Sequence, residues 1–235
     1  MIAALLAAVA LATHPTVSLS VSPARVTMSS GSVQTLRITN AGAAPVILEA
    51  TAAGYALDLR GRARVVQARV ARSWLSLRPR RLELAPGGSA SLVVSAARVP
   101  GARPGEHDTL VLLTSAARSV GGVSVRMRLG VVVAVRVPGA VVRRLEVRRL
   151  RVRGRGRLDL LVANRGDVTE RLSSTRLRVA LRRSGRLLAR LRPVPRELLP
   201  RTSGLVELRY SRRLRGWATA VVELGGLRRS FRVQL

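Results

Sequence analysis

With 235 residues the chain suits one large domain or two of about 100 residues each, and 47% apolar side chains exclude a disordered polymer despite a net charge of +30. The absence of cysteine excludes disulfides, thiolate metal sites and a cysteine nucleophile. All 42 basic residues are arginine, which leaves two readings open: an anion-binding surface, or the compositional bias of a GC-rich genome.

The first residues, MIAALLAAVALATHP, carry an apolar run from Ile2 to Ala12. That is too short for a bilayer span, which takes about 20 residues. The run ends in Ala10-Leu11-Ala12 before Thr13 and reads as a signal peptide over residues 1–12. No Lys or Arg precedes it, and an apolar first strand is the alternative. An exported protein is expected, in the periplasm, cell wall or extracellular space.

Strand follows strand from there. Val17, Leu19 and Val21 alternate with serines, Pro23 breaks the run, and Val26 and Met28 resume it. Ser29–Ser32 is a turn, Leu36–Thr39 a strand, Asn40-Ala41-Gly42 a turn and Val46–Ala50 a strand. Residues 54–64 read as a loop with a short hairpin about Gly61. Trp74–Leu77 leads into Pro79, and LELAPGGSASLVVSA then reads as two strands about a Pro-Gly-Gly turn. Gly101–Gly105 is a loop that carries on through His107 and Asp108, and Thr109–Thr114 is a strand. From Val123 to Val137 every odd position is apolar, which predicts one long half-buried strand ending at Pro138-Gly139.

The second half repeats the plan. Leu145–Val152 and Leu158–Val162 are strands, and the latter runs into Asn164-Arg165-Gly166 as its counterpart runs into Asn40-Ala41-Gly42. Leu177–Leu181 alternates and turns at Ser184-Gly185. ELLPRTSGLVELRYS mirrors the Pro-Gly-Gly hairpin. Ala218, Ala220, Val222 and Leu224 follow Gly216, and Phe231, Val233 and Leu235 close the chain. Aromatics are 2%, so Val, Leu and Ala must build the cores, and Trp74 and Trp217 are expected to pack at core edges. The fold class is all-β: two tandem immunoglobulin-like antiparallel sandwiches over 13–137 and 140–235, joined by a linker at 138–139, with arginine on the outer faces.

The order SPARVTMSSGSVQTLRITNAGAAPV, SWLSLRPRRLELAPGGSASLVVSA, GEHDTLVLLTS and a long alternating strand into VPG resembles the first domain of the periplasmic pilus-chaperone (PapD-like) superfamily. It is also similar to exported Gram-positive surface proteins that bind WxL-type proteins. The resemblance covers residues 17–137 well and 140–235 less specifically. It implies a donor strand lent to an incomplete partner, for which Val123, Val125, Met127 and Leu129 stand at the matching positions. Ordinary sandwich core is the alternative for these four. The family also uses a basic pair between its domains to hold a terminal carboxylate. Arg25 matches one member, while Val131–Val135 holds no basic residue where the other is expected, leaving Arg126 or Arg136 as substitutes.

Chemistry is sparse. His14 lies beside the cleavage pattern, and His107 beside Asp108 has no accompanying nucleophile motif. Spacing offers no HxH, HExxH, P-loop or GxGxxG. No catalytic residue, metal or cofactor is expected. The densest basic run, RRLEVRRLRVRGRGR, makes Arg148, Arg149, Arg151, Arg153, Arg155 and Arg157 the anion-binding candidates, with a solvated strand and loop as the alternative. The run lacks an aromatic residue, which argues against nucleic-acid stacking. The function expected is a non-enzymatic binding module, chaperone-like or adaptor, that holds another envelope protein by a strand edge or interdomain groove. Binding of an anionic polymer or membrane headgroups is the alternative, and nucleic-acid binding the second.

Overall fold

The computed structural model describes residues 18–66, 73–120, 123–154, 156–211 and 213–235. The leader expected at 1–12, His14, Val17 and Arg155 lie outside the described residues.

Pro23 separates two strands that join different sheets. β1 (Leu19–Ser22) lies on one side and β2 (Arg25–Ser29) on the other. Proline has no amide to give to a ladder, so the chain changes sheets there. The first sandwich continues through β3 (Val33–Asn40), β4 (Val46–Leu57), β5 (Ala63–Val66), β6 (Leu75–Arg78), β7 (Arg81–Leu84) and β8 (Ser89–Ala96). It closes with β9 (Gly105–Ser115), β10 (Arg118–Val120), β11 (Val123–Val125) and β12 (Arg128–Val137). One sheet has the order β1-β3-β8-β6, the other β2-β12-β9-β4-β5 with β7 also on β4, and β10-β11 form a separate hairpin. Leu36, Ile38 and Leu92 from the first sheet meet Leu48, Leu113 and Val133 from the second. Each such side chain stabilises the fold by roughly 1.5–3 kcal/mol through its removal from water.

The second sandwich has β13 (Leu145–Gly154), β14 (Arg157–Asn164), β15 (Glu170–Leu172), β16 (Leu177–Arg183), β17 (Arg186–Pro193), β18 (Arg196–Leu198), β19 (Ser203–Arg209), β20 (Trp217–Leu224) and β21 (Leu227–Gln234). Seven strands follow the order β13-β14-β19-β17-β16-β20-β21, with β15-β18 as a separate pair. The sheet folds over itself where β17 meets β19 through only two residue pairs, Arg192 with Arg209 and Pro193 with Leu208. Its end strands approach each other, and the Arg229 guanidinium donates to the Val147 carbonyl. Leu158, Leu160, Leu172, Leu181 and Leu208 fill a core separate from the first.

The two Asn-x-Gly turns prove to be the same device. Asn40 Nδ2 donates to the carbonyls of Ala44 (2.8 Å), Leu84 (3.4 Å) and Ala85 (3.1 Å), while its Oδ1 accepts from Gly42 N at 3.0 Å. Asn164 Nδ2 donates to Val168 (2.8 Å), Leu198 and Leu199 (both 3.1 Å), and its Oδ1 accepts from Gly166 N at 2.9 Å. Both asparagines are fully buried. Each clamps the end of a strand to the hairpin that follows later in the chain, which is why the two motifs recur together.

Several local expectations need correction. Residues 54–57 continue β4 rather than forming a loop, because all four pair with β5 and Gly54 also pairs with Thr109 of β9. The hairpin about Gly61 is present between β4 and β5. His107 and Asp108 lie on β9, not in a loop. The strand expected over 123–137 is interrupted at 126–127. Trp74 is buried, but Trp217 is 52% exposed. In β20 the inward positions are Ala218, Ala220, Val222 and Leu224, so pleat alternation turns Trp217 outward.

Candidate functional site

The first feature is an open strand edge. β12 pairs with β9 along its whole length, from Arg128 opposite Thr114 to Val137 opposite Gly105. On its other side β2 covers only Val132–Arg136. Ahead of β12, β11 pairs with β10 alone, on the side that continues β9. From Val123 to Val131 the opposite side of this long hairpin therefore offers backbone donors and acceptors with no strand against them among the described residues. The chain stays extended through the break because Ser115 Oγ accepts from Met127 N and Ser115 N donates to Met127 O, both at 3.0 Å.

The four residues expected to form a donor strand divide along this edge. Val123 is 63% and Val125 45% exposed, whereas Met127 and Leu129 are half-buried and Leu129 packs on the first core. Val131, Val133 and Val135 beyond them are fully buried. The alternation read from the sequence is thus one pattern with two fates: core at its end, uncovered apolar ridge at its start.

The second feature is the cleft between the sandwiches. Arg25, on β2, reaches across to Glu197 of β18 at 2.6 Å and lies 3.9 Å from Asp108 Oδ1. Glu197 also faces Arg171 at 3.7 Å. Burial works against the Arg25 cation, but Glu197 and then Asp108 outweigh it and raise its pKa. Arg136, a substitute for the second basic residue, is paired with Glu106 at 3.0 Å. The other, Arg126, is exposed on the open hairpin.

Asp108 stands apart electrostatically. Its side chain is 4% exposed. Among the described residues, Oδ1 is buried with no hydrogen-bond partner, since 3.9 Å to Arg25 is too long for one, and Oδ2 has only Thr169 Oγ1 at 3.4 Å. Burial pushes its pKa up to about 6; Arg25 opposes this, and Glu106 and Glu197 reinforce it. Glu106 goes the other way. Burial would raise its pKa, but the Thr169 amide at 2.8 Å and Arg136 hold it below the ordinary value.

Beside these acids lies a 340 Å³ pocket, whose lining includes Tyr55, Trp74, Arg103, His107, Asp108 and Arg201. The His107 ring stacks on Trp74 with centroids 4.3 Å apart, and its Nε2 meets the Arg103 carbonyl at 2.8 Å. A ring stack and a carbonyl contact make His107 a packing residue of the pocket wall.

The arginine run predicted to bind anions lies on β13 and the start of β14. Two members face carboxylates: Arg148 with Glu146 at 3.0 Å and Arg153 with Asp159 at 3.5 Å. Arg149, Arg151 and Arg157 are exposed and form no ion pair among the described residues. A second basic surface, not singled out from sequence, spreads over β16, β17, β20 and β21, whose residues include nine arginines and one acid, Glu223. Arg178 and Arg182 stand four residues apart and Arg190 and Arg192 two apart in extended runs, an even spacing that the density of arginine elsewhere hides.

No family model matches the chain, and no curated protein matches it. Solved structures do. One is a chain of the chaperone–tip adhesin complex vital for synergistic activation of CFA/I fimbriae biogenesis, with TM-score 0.53 and 11% identity over 92% of this chain and 98% of that one. Another comes from the CsuC–CsuE chaperone–tip adhesion subunit pre-assembly complex of archaic chaperone-usher Csu pili of Acinetobacter baumannii, with TM-score 0.51 and 14% identity over 92% and 97%. A third is the YadV chaperone, with TM-score 0.51 and 12% identity over 92% and 99%. These likenesses show that the chain has the two-sandwich fold of the pilus chaperones.

Proposed function

We propose that this chain is an exported, non-enzymatic, chaperone-like or adaptor module that holds another surface protein by lending it the β11–β12 edge. The observation that carries the reading is the open edge from Val123 to Val131, with exposed Val123 and Val125 at its start. An extended partner strand would gain backbone hydrogen bonds there and bury the valine ridge. The CsuC–CsuE structure, a chaperone with a tip adhesion subunit, supports a surface protein as the partner class. Arg25 joins the reading as the cationic group at the cleft end of the sheet, already engaged by Glu197. The partner's sequence would set which apolar side chains fill the spaces between Val123, Val125, Met127 and Leu129.

The test is site-specific photocross-linking in the native cell envelope. A photoreactive residue replaces Val123 or Val125, and Val33, which is 56% exposed on β3, serves as control. One protein adduct shared by positions 123 and 125, absent at 33 and retained through about 1 M salt, is the expected result. Equal adducts at all three positions, or none at 123 and 125, would overturn the reading.

A further inference from the structure

One end of the second sandwich gathers positive charge around an exposed indole. Arg182 and Arg183 end β16, Arg186 begins β17 after the Ser184-Gly185 turn, and Arg213 and Arg215 lead into β20. Arg183 Nε donates to the Trp217 carbonyl at 2.9 Å, and Arg183 Nη2 also donates to the Arg215 carbonyl. Arg232, on β21, places its guanidinium carbon 4.5 Å from the centroid of the Trp217 ring. The loop before β20 is fixed to the chain end by Gly216 N to Leu235 O (3.3 Å) and Leu235 N to Gly216 O (3.0 Å). Leu187, 42% exposed, lies opposite Arg182 on the neighbouring strand.

Six exposed arginines thus converge on one tip, and none of them forms an ion pair among the described residues. Elsewhere the acids are spent on arginine: Glu146, Asp159, Asp167, Glu170, Glu197 and Glu207 each have a partner. The tip also points away from the cleft. β17 meets β19 only at Leu208 and Arg209, the end of β19 beyond the cleft contact of Leu205 with Leu59, and the Ser184-Gly185 turn lies further along β17.

We propose that this tip docks the protein on an anionic phospholipid surface, independently of the strand edge. The arginines match phosphate headgroups, and arginine near such a surface is attracted without needing a pocket. Trp217 and Leu187 decide between membrane and soluble polyanion. An indole with an apolar body and a polar N–H sits well at a headgroup boundary, whereas a hydrophilic polymer gives Leu187 nothing to bury against. The pinned loop holds the indole and guanidinium groups on one rim, so little ordering is needed on contact.

The test uses the full chain with phosphatidylcholine vesicles, with or without about 30% phosphatidylglycerol. Every variant carries the same N-terminus, so differences between variants read the tip. Trp74 is buried and Trp217 exposed, so a blue shift on vesicle binding reports Trp217. The expected result is binding only to the anionic vesicles, with a blue shift. The triple variant Arg186→Gln/Arg213→Gln/Arg215→Gln then loses affinity by at least about 10-fold. The triple variant Arg149→Gln/Arg151→Gln/Arg157→Gln, equal in charge removed, stays within about 2-fold of the parent. Equal losses in the two variants would make the attraction diffuse and overturn the proposal. So would absence of binding, binding without a blue shift, or a larger shift with single-stranded DNA than with vesicles.

Discussion

Asp108 stands in an environment that costs the fold stability. A carboxylate on a central strand is closed off by Thr169 and lies beyond hydrogen-bond reach of Arg25, so charging it means charging a buried oxygen without a donor. Its folded pKa of about 6 lies above the ordinary 3.8. Between those values the folded chain holds a proton that the unfolded chain has released, so stability falls as pH rises through that window. Above it the carboxylate is charged in both states and the loss is complete, on the order of 2–3 kcal/mol. Asp108→Asn removes this term. Urea unfolding of both proteins at pH 4.5 and 7.5 should show the variant's relative stability rising by about 2 kcal/mol at the higher pH, the rest of the loss having occurred below pH 4.5. An unchanged difference would mean that Asp108 is satisfied in solution. In the sequence Asp108 stands out only as a neighbour of His107, because what matters about it is Thr169 and Glu197, 61 and 89 positions away.

At the scale of elements, the readable parts were those whose cause is local. Pleat alternation marked β3, β8, β14, β16 and β20, and turn chemistry marked Gly31, Gly61 and Gly185, all of which adopt positive φ. The break at 126–127 was not readable, since Val125, Met127 and Leu129 keep the alternation while the covering strand β2 stops at Val132. Local pattern says which face is apolar; only the opposite sheet says whether that face is covered. β17 is not legible in the sequence for a related reason: Leu187-Leu188-Ala189 does not alternate, and a register shift between Leu181 and Arg182 lies opposite it. The Asn-x-Gly turns were visible as a repeat, but their clamps bridge 34 to 45 residues. Asn164→Ala would leave the Val168, Leu198 and Leu199 carbonyls without that donor, and a loss of about 2–4 kcal/mol is expected. Asn40→Ala should cost a similar amount in the first sandwich. Thermal unfolding of each variant checks this, and a loss below about 1 kcal/mol would mean that water replaces the clamp.

On the scale of the whole molecule, the two sandwiches are joined by more than their linker. Glu106 N donates to the Asp167 carbonyl at 2.7 Å, Thr169 N to Glu106 Oε2 at 2.8 Å, Leu205 N to the Leu59 carbonyl at 2.7 Å and Arg196 Nη2 to the Asp58 carbonyl at 2.8 Å. Glycine makes the first of these approaches possible. Gly105 adopts φ +123°, and a Cβ there would stand 2.4 Å from the Asp167 carbonyl oxygen. Backbone cannot yield as a side-chain tip can, so Gly105→Ala must push the sandwiches apart or distort the start of β9. Neither Gly105 nor Asp167 belongs to either core, so the damage should stay at the seam. Amide hydrogen exchange distinguishes a seam from a general loss of stability. In Gly105→Ala the amides of Glu106, Thr169 and Leu205 should exchange at least about 10-fold faster while those of Leu160 and Val206, deep in the second sandwich, keep their protection. If all five speed up together, the seam and the second core open as one cooperative unit. If none does, the interface is held by Arg25, Glu197 and Arg196 rather than by close backbone approach, and Glu197→Gln becomes the change that loosens it.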